Sequence, residues 1–120
     1  MVMGWLRPDA DPELFAKALR AYRSLSVSGV EMRITAGSDL RLRPDGASFA
    51  CVTDLPDEQA YRAYEADEEH QRIRSELFAP ITERIERVQF RMPETLSEIR
   101  ARDPLGHNSV EQIGNREERL

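Results

Sequence analysis

Apolar residues along this chain follow two rhythms, and the switches between them mark its elements. Val2 to Leu6 is a short apolar run closed by Arg7-Pro8-Asp9, which predicts a first strand. Asp11-Pro12-Glu13 follows, with an N-capping carboxylate, a proline suited to the first helical position and an acidic first turn. Leu14, Phe15, Ala18, Leu19 and Tyr22 then recur one, three and four residues apart, as on one face of an amphipathic helix. The stretch Ser24 to Gly29 interrupts it. Val30, Met32 and Ile34 alternate with Glu31, Arg33 and Thr35, which predicts a half-buried second strand. Arg43-Pro44-Asp45-Gly46 carries turn chemistry. Ala47 to Thr53 reads as a third strand, whose small residues suit a central position.

Asp54 is a good N-cap, and Pro56 lies near the start of a second helix running to about Ala66. Asp67-Glu68-Glu69 reads as a charged joint or the acidic first turn of a new helix. Ile73, Leu77 and Ile81 carry the next helical stripe, and Arg84 to Met92 reads as the last strand, with Pro93 ending it. Glu94 to Arg102 is helix-like, with Leu96 and Ile99 three apart, and His107 to Leu120 is a polar tail.

The resulting order, β-α-β-β-α-β with a broken second helix, predicts an α+β, ferredoxin-like fold. Such a domain spans residues 1–92, with a helical extension and polar tail over 93–120. It has a four-stranded antiparallel sheet with helices on one face. The other face would carry Val30, Met32 and Phe90, too apolar to leave in water. Two sheets packed face to face as a homodimer would cover it; the alternative cover is the C-terminal segment.

A chain of 120 residues makes one domain with a modest core. Its formal net charge of −5 argues against a nucleic-acid partner, because phosphate contacts need a basic face. Arginine supplies all but one of the 17 basic residues, Lys17 being the exception, which reads as compositional bias rather than an anion site. The single cysteine, Cys51, allows no internal disulfide and sits in an apolar run where a buried thiol is expected. No apolar run approaches the roughly 20 residues of a membrane span, and the N-terminus lacks signal-peptide character. The expectation is a cytoplasmic protein with no membrane partner. No metal site is expected, since the two histidines and the cysteine lie far apart. No phosphate loop or nucleophile elbow is present in the sequence, so no cofactor is expected.

Proton-transfer chemistry concentrates in Tyr64-Glu65-Ala66-Asp67-Glu68-Glu69-His70. Six residues separate the phenol of Tyr64 from the imidazole of His70, slightly under two helical turns, so both can aim into one cleft. Together they can move a proton without a metal or cofactor. Tyr61 competes with Tyr64 from three residues earlier. Trp5, on the first strand, could stack on an aromatic ligand, although core filling would use it equally well. His107, after Pro104-Leu105-Gly106, reads as a solvated tail residue.

The run from Asp54-Leu55 through Tyr64-x-x-Asp67-Glu68-x-His70, followed by Pro80 and Val88-Gln89-Phe90, resembles the stress-responsive α/β barrel (Dabb) family over about residues 2 to 92. The resemblance implies a dimeric α/β barrel with a pocket between helices and sheet. Tyr64 and His70 match the catalytic pair of its olivetolic acid cyclase-type members, which close a linear polyketide by an aldol reaction without a cofactor. Where the family pattern usually has His-Pro, this chain has Asp67-Glu68, so Asp67 stands where the additional motif histidine falls and the detailed network does not carry over. With Trp5 and Tyr61, Asp67 completes the candidate substrate-binding residues around catalytic His70 and Tyr64. The implied function is a cofactor-independent cyclase or aldol-type lyase on a small molecule. Two alternatives stand beside it. One is a non-catalytic dimeric stress-response or ligand-binding protein. The other is a cofactor-free monooxygenase of the antibiotic-biosynthesis type, whose second helix also leads to a histidine.

Overall fold

A computed structural model describes residues 1–93. Met1–Gln89 forms one compact unit. The expected helical extension and tail lie outside the described residues. The elements are β1 (Val2–Leu6), α1 (Pro12–Arg23), β2 (Arg33–Ser38), β3 (Phe49–Asp54), α2 (Glu58–Ala66), α3 (Glu68–Arg72), a π-helical turn (Ile73–Phe78), a 3₁₀ turn (Ala79–Ile81) and β4 (Thr82–Arg87). The sheet order is β2-β3-β1-β4 with every neighbouring pair antiparallel, so the α+β, ferredoxin-like fold is present and β3 is an interior strand.

Alternation along the strands fixes which residues meet the helices. Val2 and Leu6 of β1, Phe49 and Cys51 of β3, and Ile34 and Ala36 of β2 all join the core under the helices. The Phe49 ring lies against Gly4, where a Cβ would stand 2.2 Å from its Cζ. That ring is flanked by Phe15 of α1 at 5.6 Å and Phe78 at 5.2 Å. Gly4 is therefore glycine for clearance, not for backbone freedom. Burial pushes the Cys51 thiol up to about 12, so it is a neutral core group at ordinary pH.

Four details depart from the sequence reading. First, β2 starts at Arg33 rather than Val30; the Val30 N–H donates to the Val27 carbonyl at 3.0 Å in the lead-in turn, and Met32 packs on the helix-side core. Second, β4 stops at Arg87, so Phe90 lies past the strand. Met32 therefore does not sit on the sheet face away from the helices, where β1 and β3 instead place Met3, Trp5, Ala50 and the buried Val52. Third, α2 is capped by Asp57, whose Oδ1 accepts from the Ala60 N–H at 2.8 Å, while Asp54 is the buried last residue of β3. Fourth, the stripe expected at Ile73, Leu77 and Ile81 is rewound. In a π turn the backbone bond reaches five residues back, as from the Ala79 N–H to the Arg74 carbonyl. Phe78, five residues after Ile73, is thereby buried and Leu77 is left only partly so.

Gly4→Ala should drive a methyl group into a ring that Phe15 and Phe78 hold in place. The expected cost is about 1–3 kcal/mol, read as a melting temperature lower by several degrees. An unchanged melting temperature would show that the Phe49 ring is free to shift.

Candidate functional site

The site is built on a helix break. Helices α2 and α3 meet at Asp67, whose backbone is extended at φ −64° and ψ 131°. Asp67 caps α3, its Oδ2 accepting from the His70 N–H at 2.9 Å. A break of this kind leaves the last carbonyls of the first helix without their usual partners. Here side chains from beyond the break supply donors. The Tyr64 carbonyl accepts from His70 Nδ1 at 3.0 Å and from the Asp67 N–H at 3.3 Å. The Glu65 carbonyl accepts from the Gln71 side-chain amide at 3.2 Å. Six-residue spacing between Tyr64 and His70 is thus what capping across the joint requires.

That hydrogen bond sets the chemistry of the imidazole. A carbonyl only accepts, so Nδ1 of the neutral ring carries the proton and Nε2 holds the lone pair. Among the described residues, Nε2 makes no hydrogen bond. His70 is buried, at 3% exposed, and its ring stacks on the Tyr64 ring, with centroids 4.0 Å apart and planes at 24°. The Tyr22 ring meets it edge-on at 6.2 Å. Burial lowers the His70 pKa below its ordinary 6.5, against the opposing pull of the Tyr64 carbonyl, Glu65 and Asp67. At neutral pH the ring is an uncharged base.

Three hydroxyls from three elements converge on the other end of Tyr64. Tyr22 of α1 is hydrogen-bonded to Tyr64 of α2, and Thr53 of β3 lies 2.6 Å from the Tyr22 oxygen and 3.4 Å from that of Tyr64. Burial raises the pKa of both phenols. Tyr22 and Thr53 escaped the sequence reading because one fell on the apolar stripe of α1 and the other at the end of a strand. The available signal was that a tyrosine on a buried helix face needs a partner for its hydroxyl.

The other candidates are placed as follows. Tyr61 is half-buried, its ring 6.4 Å from that of Tyr64. Asp67 belongs to the site as the cap of α3, its carboxylate accepting from the His70 backbone N–H. Trp5 is not brought to the cluster: it lies on the sheet face opposite the helices, with the Arg84 guanidinium 4.4 Å from its ring. His107 is outside the described residues. Among the described residues no group of three or more His, Cys, Asp or Glu is arranged to hold a metal ion, and no helix is long and apolar enough to cross a membrane. A shallow depression along α1, lined by residues including Asp11, Leu14, Lys17 and Arg20, shares no residue with the cluster.

No family model matches the chain, and no curated protein matches its sequence. Among solved structures it is similar to a dimeric ferredoxin-like protein of unknown function from Thermobifida fusca. The TM-score is 0.69 and the identity 24%, over 76% of this chain and 86% of that one. It is also similar to the At3g17210 protein of Arabidopsis thaliana, with a TM-score of 0.61 and 10% identity over 78% of this chain and 93% of that one. At these identities the likeness is one of fold.

Because the folded pKa of His70 is below 6.5, the unfolded chain takes up its proton first as pH falls. Stability contributed by His70 is therefore full above about 6.5 and declines as pH drops toward the folded pKa, each unit of difference being worth about 1.4 kcal/mol. His70→Asn, which keeps a donor where Nδ1 sits, should flatten that part of the stability–pH curve in chemical denaturation. A slope unchanged by the substitution would assign the acid sensitivity to other groups.

Proposed function

We propose that this chain is one subunit of a homodimeric α/β barrel of the stress-responsive (Dabb) kind. In this reading Tyr64 and His70 transfer protons on a small carbonyl compound without a cofactor, as a polyketide-type cyclase or aldol-type lyase. The observation that carries it is the His70 tautomer: the bond to the Tyr64 carbonyl keeps the proton on Nδ1 and turns an uncharged Nε2 lone pair outward from that bond. Nε2 removes a proton from the carbon beside a carbonyl, and the Tyr64 hydroxyl donates to the developing enolate oxygen. The enolate carbon then attacks a second carbonyl, forming the new carbon–carbon bond, and the proton on Nε2 returns to the resulting alkoxide. The dimer part rests on the apolar sheet face away from the helices, where Met3 is 39% exposed beside Trp5, and on the dimeric state of the Thermobifida fusca protein of like fold.

A second reading, a non-catalytic dimeric binding or stress protein, is favoured by one specific feature. The Tyr64 and His70 side chains belong to residues only 6% and 3% exposed, and the hydroxyls satisfy one another. His70 would then be a structural pin.

Deuterium exchange into a panel of 1,3-dicarbonyl compounds, followed by NMR, separates the two. The enzyme reading expects exchange catalysed by the wild type and abolished in His70→Ala. Tyr64→Phe should be slower by about 10²–10³-fold, with the double variant little worse than His70→Ala alone. No exchange with any compound, together with a melting temperature several degrees lower in His70→Ala, establishes the pin. Sedimentation should give a dimer at micromolar concentration, and a stable monomer at all concentrations would overturn the assembly.

A further inference from the structure

We propose that Tyr22, backed by Thr53, is a positioning residue that donates its hydroxyl proton to the Tyr64 oxygen and so frees the Tyr64 proton to point out of the cluster. The inference deepens the enzyme reading, and its proton-transfer role rests on it. It follows from counting protons. Each of the three hydroxyls has one proton to give. Tyr22 sits in the middle, bonded to Tyr64 on one side and 2.6 Å from Thr53 on the other, while the direct Thr53–Tyr64 separation is 3.4 Å. If Tyr64 donates to Tyr22, its proton is spent inside the cluster and it has nothing to offer a ligand oxygen. Outward donation by Tyr64 therefore requires Tyr22 to donate to Tyr64, and Thr53 in turn to donate to Tyr22.

The order running from Thr53 through Tyr22 to Tyr64 also has an energetic logic. As Tyr64 gives up its proton to a developing oxyanion, negative charge builds on its own oxygen. A donor already aimed at that oxygen stabilises the charge, and each bond in the chain polarises the next. The site is shielded from water, so this donor has no solvent substitute; Tyr22 is 5% exposed. Apart from Tyr22 and Thr53, the groups facing Tyr64 give it no such help. His70 stacks on its face rather than bonding its hydroxyl, and the Glu65 carboxylate opposes ionisation.

The test titrates Tyr64 and needs no substrate. The chain has three tyrosines, so a Tyr61→Phe background leaves only Tyr22 and Tyr64, followed by NMR of tyrosine labelled with carbon-13 at Cζ. Where alkali unfolds the protein first, as circular dichroism would reveal, biosynthetic 3,5-difluorotyrosine brings both titrations to lower pH. Tyr64 should ionise before Tyr22. Tyr22→Phe should raise the Tyr64 pKa by about one unit, the scale of one lost hydrogen bond to a charged oxygen. Thr53→Val should shift it in the same direction by less. A packing role alone would leave the value where it is, so an unchanged or lowered Tyr64 pKa in Tyr22→Phe overturns the proposal. Should the titration behave as expected in a protein that exchanges no proton on any dicarbonyl compound, the enzyme reading falls and the hydroxyl order stands.

Discussion

The carbonyl of Tyr64 decides the geometry of everything around it. It loses its ordinary helical partner because the chain turns at Asp67, and two donors from the joint replace it: the Asp67 N–H at 3.3 Å and, closer, His70 Nδ1 at 3.0 Å. In donating, His70 fixes the joint between α2 and α3, lays its ring on the ring of the residue it caps, and commits its proton to Nδ1. Structural and chemical roles are thus not alternatives for this hydrogen bond. The same contact that holds the helices in register sets which nitrogen is basic.

The cluster rests on a tightly filled aromatic layer. Gly4 lets the Phe49 ring settle onto β1, and Phe78 packs on that ring and edge-on to Tyr22 at 6.3 Å. Phe78 reaches this position only because the turn from Ile73 to Phe78 is π-wound, which brings residues five apart onto one side. The aromatic layer therefore links the winding of one helical segment to the orientation of Tyr22, and through Tyr22 to the hydroxyl of Tyr64.

Patterns of sequence revealed most of this frame. Asp11-Pro12 announced α1, whose cap is as expected, with the Asp11 carboxylate accepting from the Glu13 N–H at 2.9 Å. The small residues of β3 pointed to its interior position, and the charged joint at Asp67 to a new helix start. Tyr64 and His70 do meet, although by capping across a break rather than by sharing one continuous helix face. What stayed hidden was what periodicity does not encode. The β2 pattern is apolar on alternate residues before the strand begins, so its start and its exposed face were misplaced around Met32. Asp54 and Asp57 have the same capping chemistry, and only the length of β3 separates them. The π turn breaks the 3.6-residue rhythm that identifies helices. Tyr22 and Thr53 acquire their meaning from contacts between elements far apart in sequence, and neither carries a local motif.

The central claim is that the Tyr64 carbonyl holds His70 as an uncharged ring protonated on Nδ1. Long-range proton–nitrogen NMR of the imidazole measures this directly, in a His107→Gln variant so that His70 is the one histidine observed. At neutral pH the account predicts a protonated Nδ1 and an unprotonated Nε2. A ring protonated on Nε2 alone, or on both nitrogens, would contradict it.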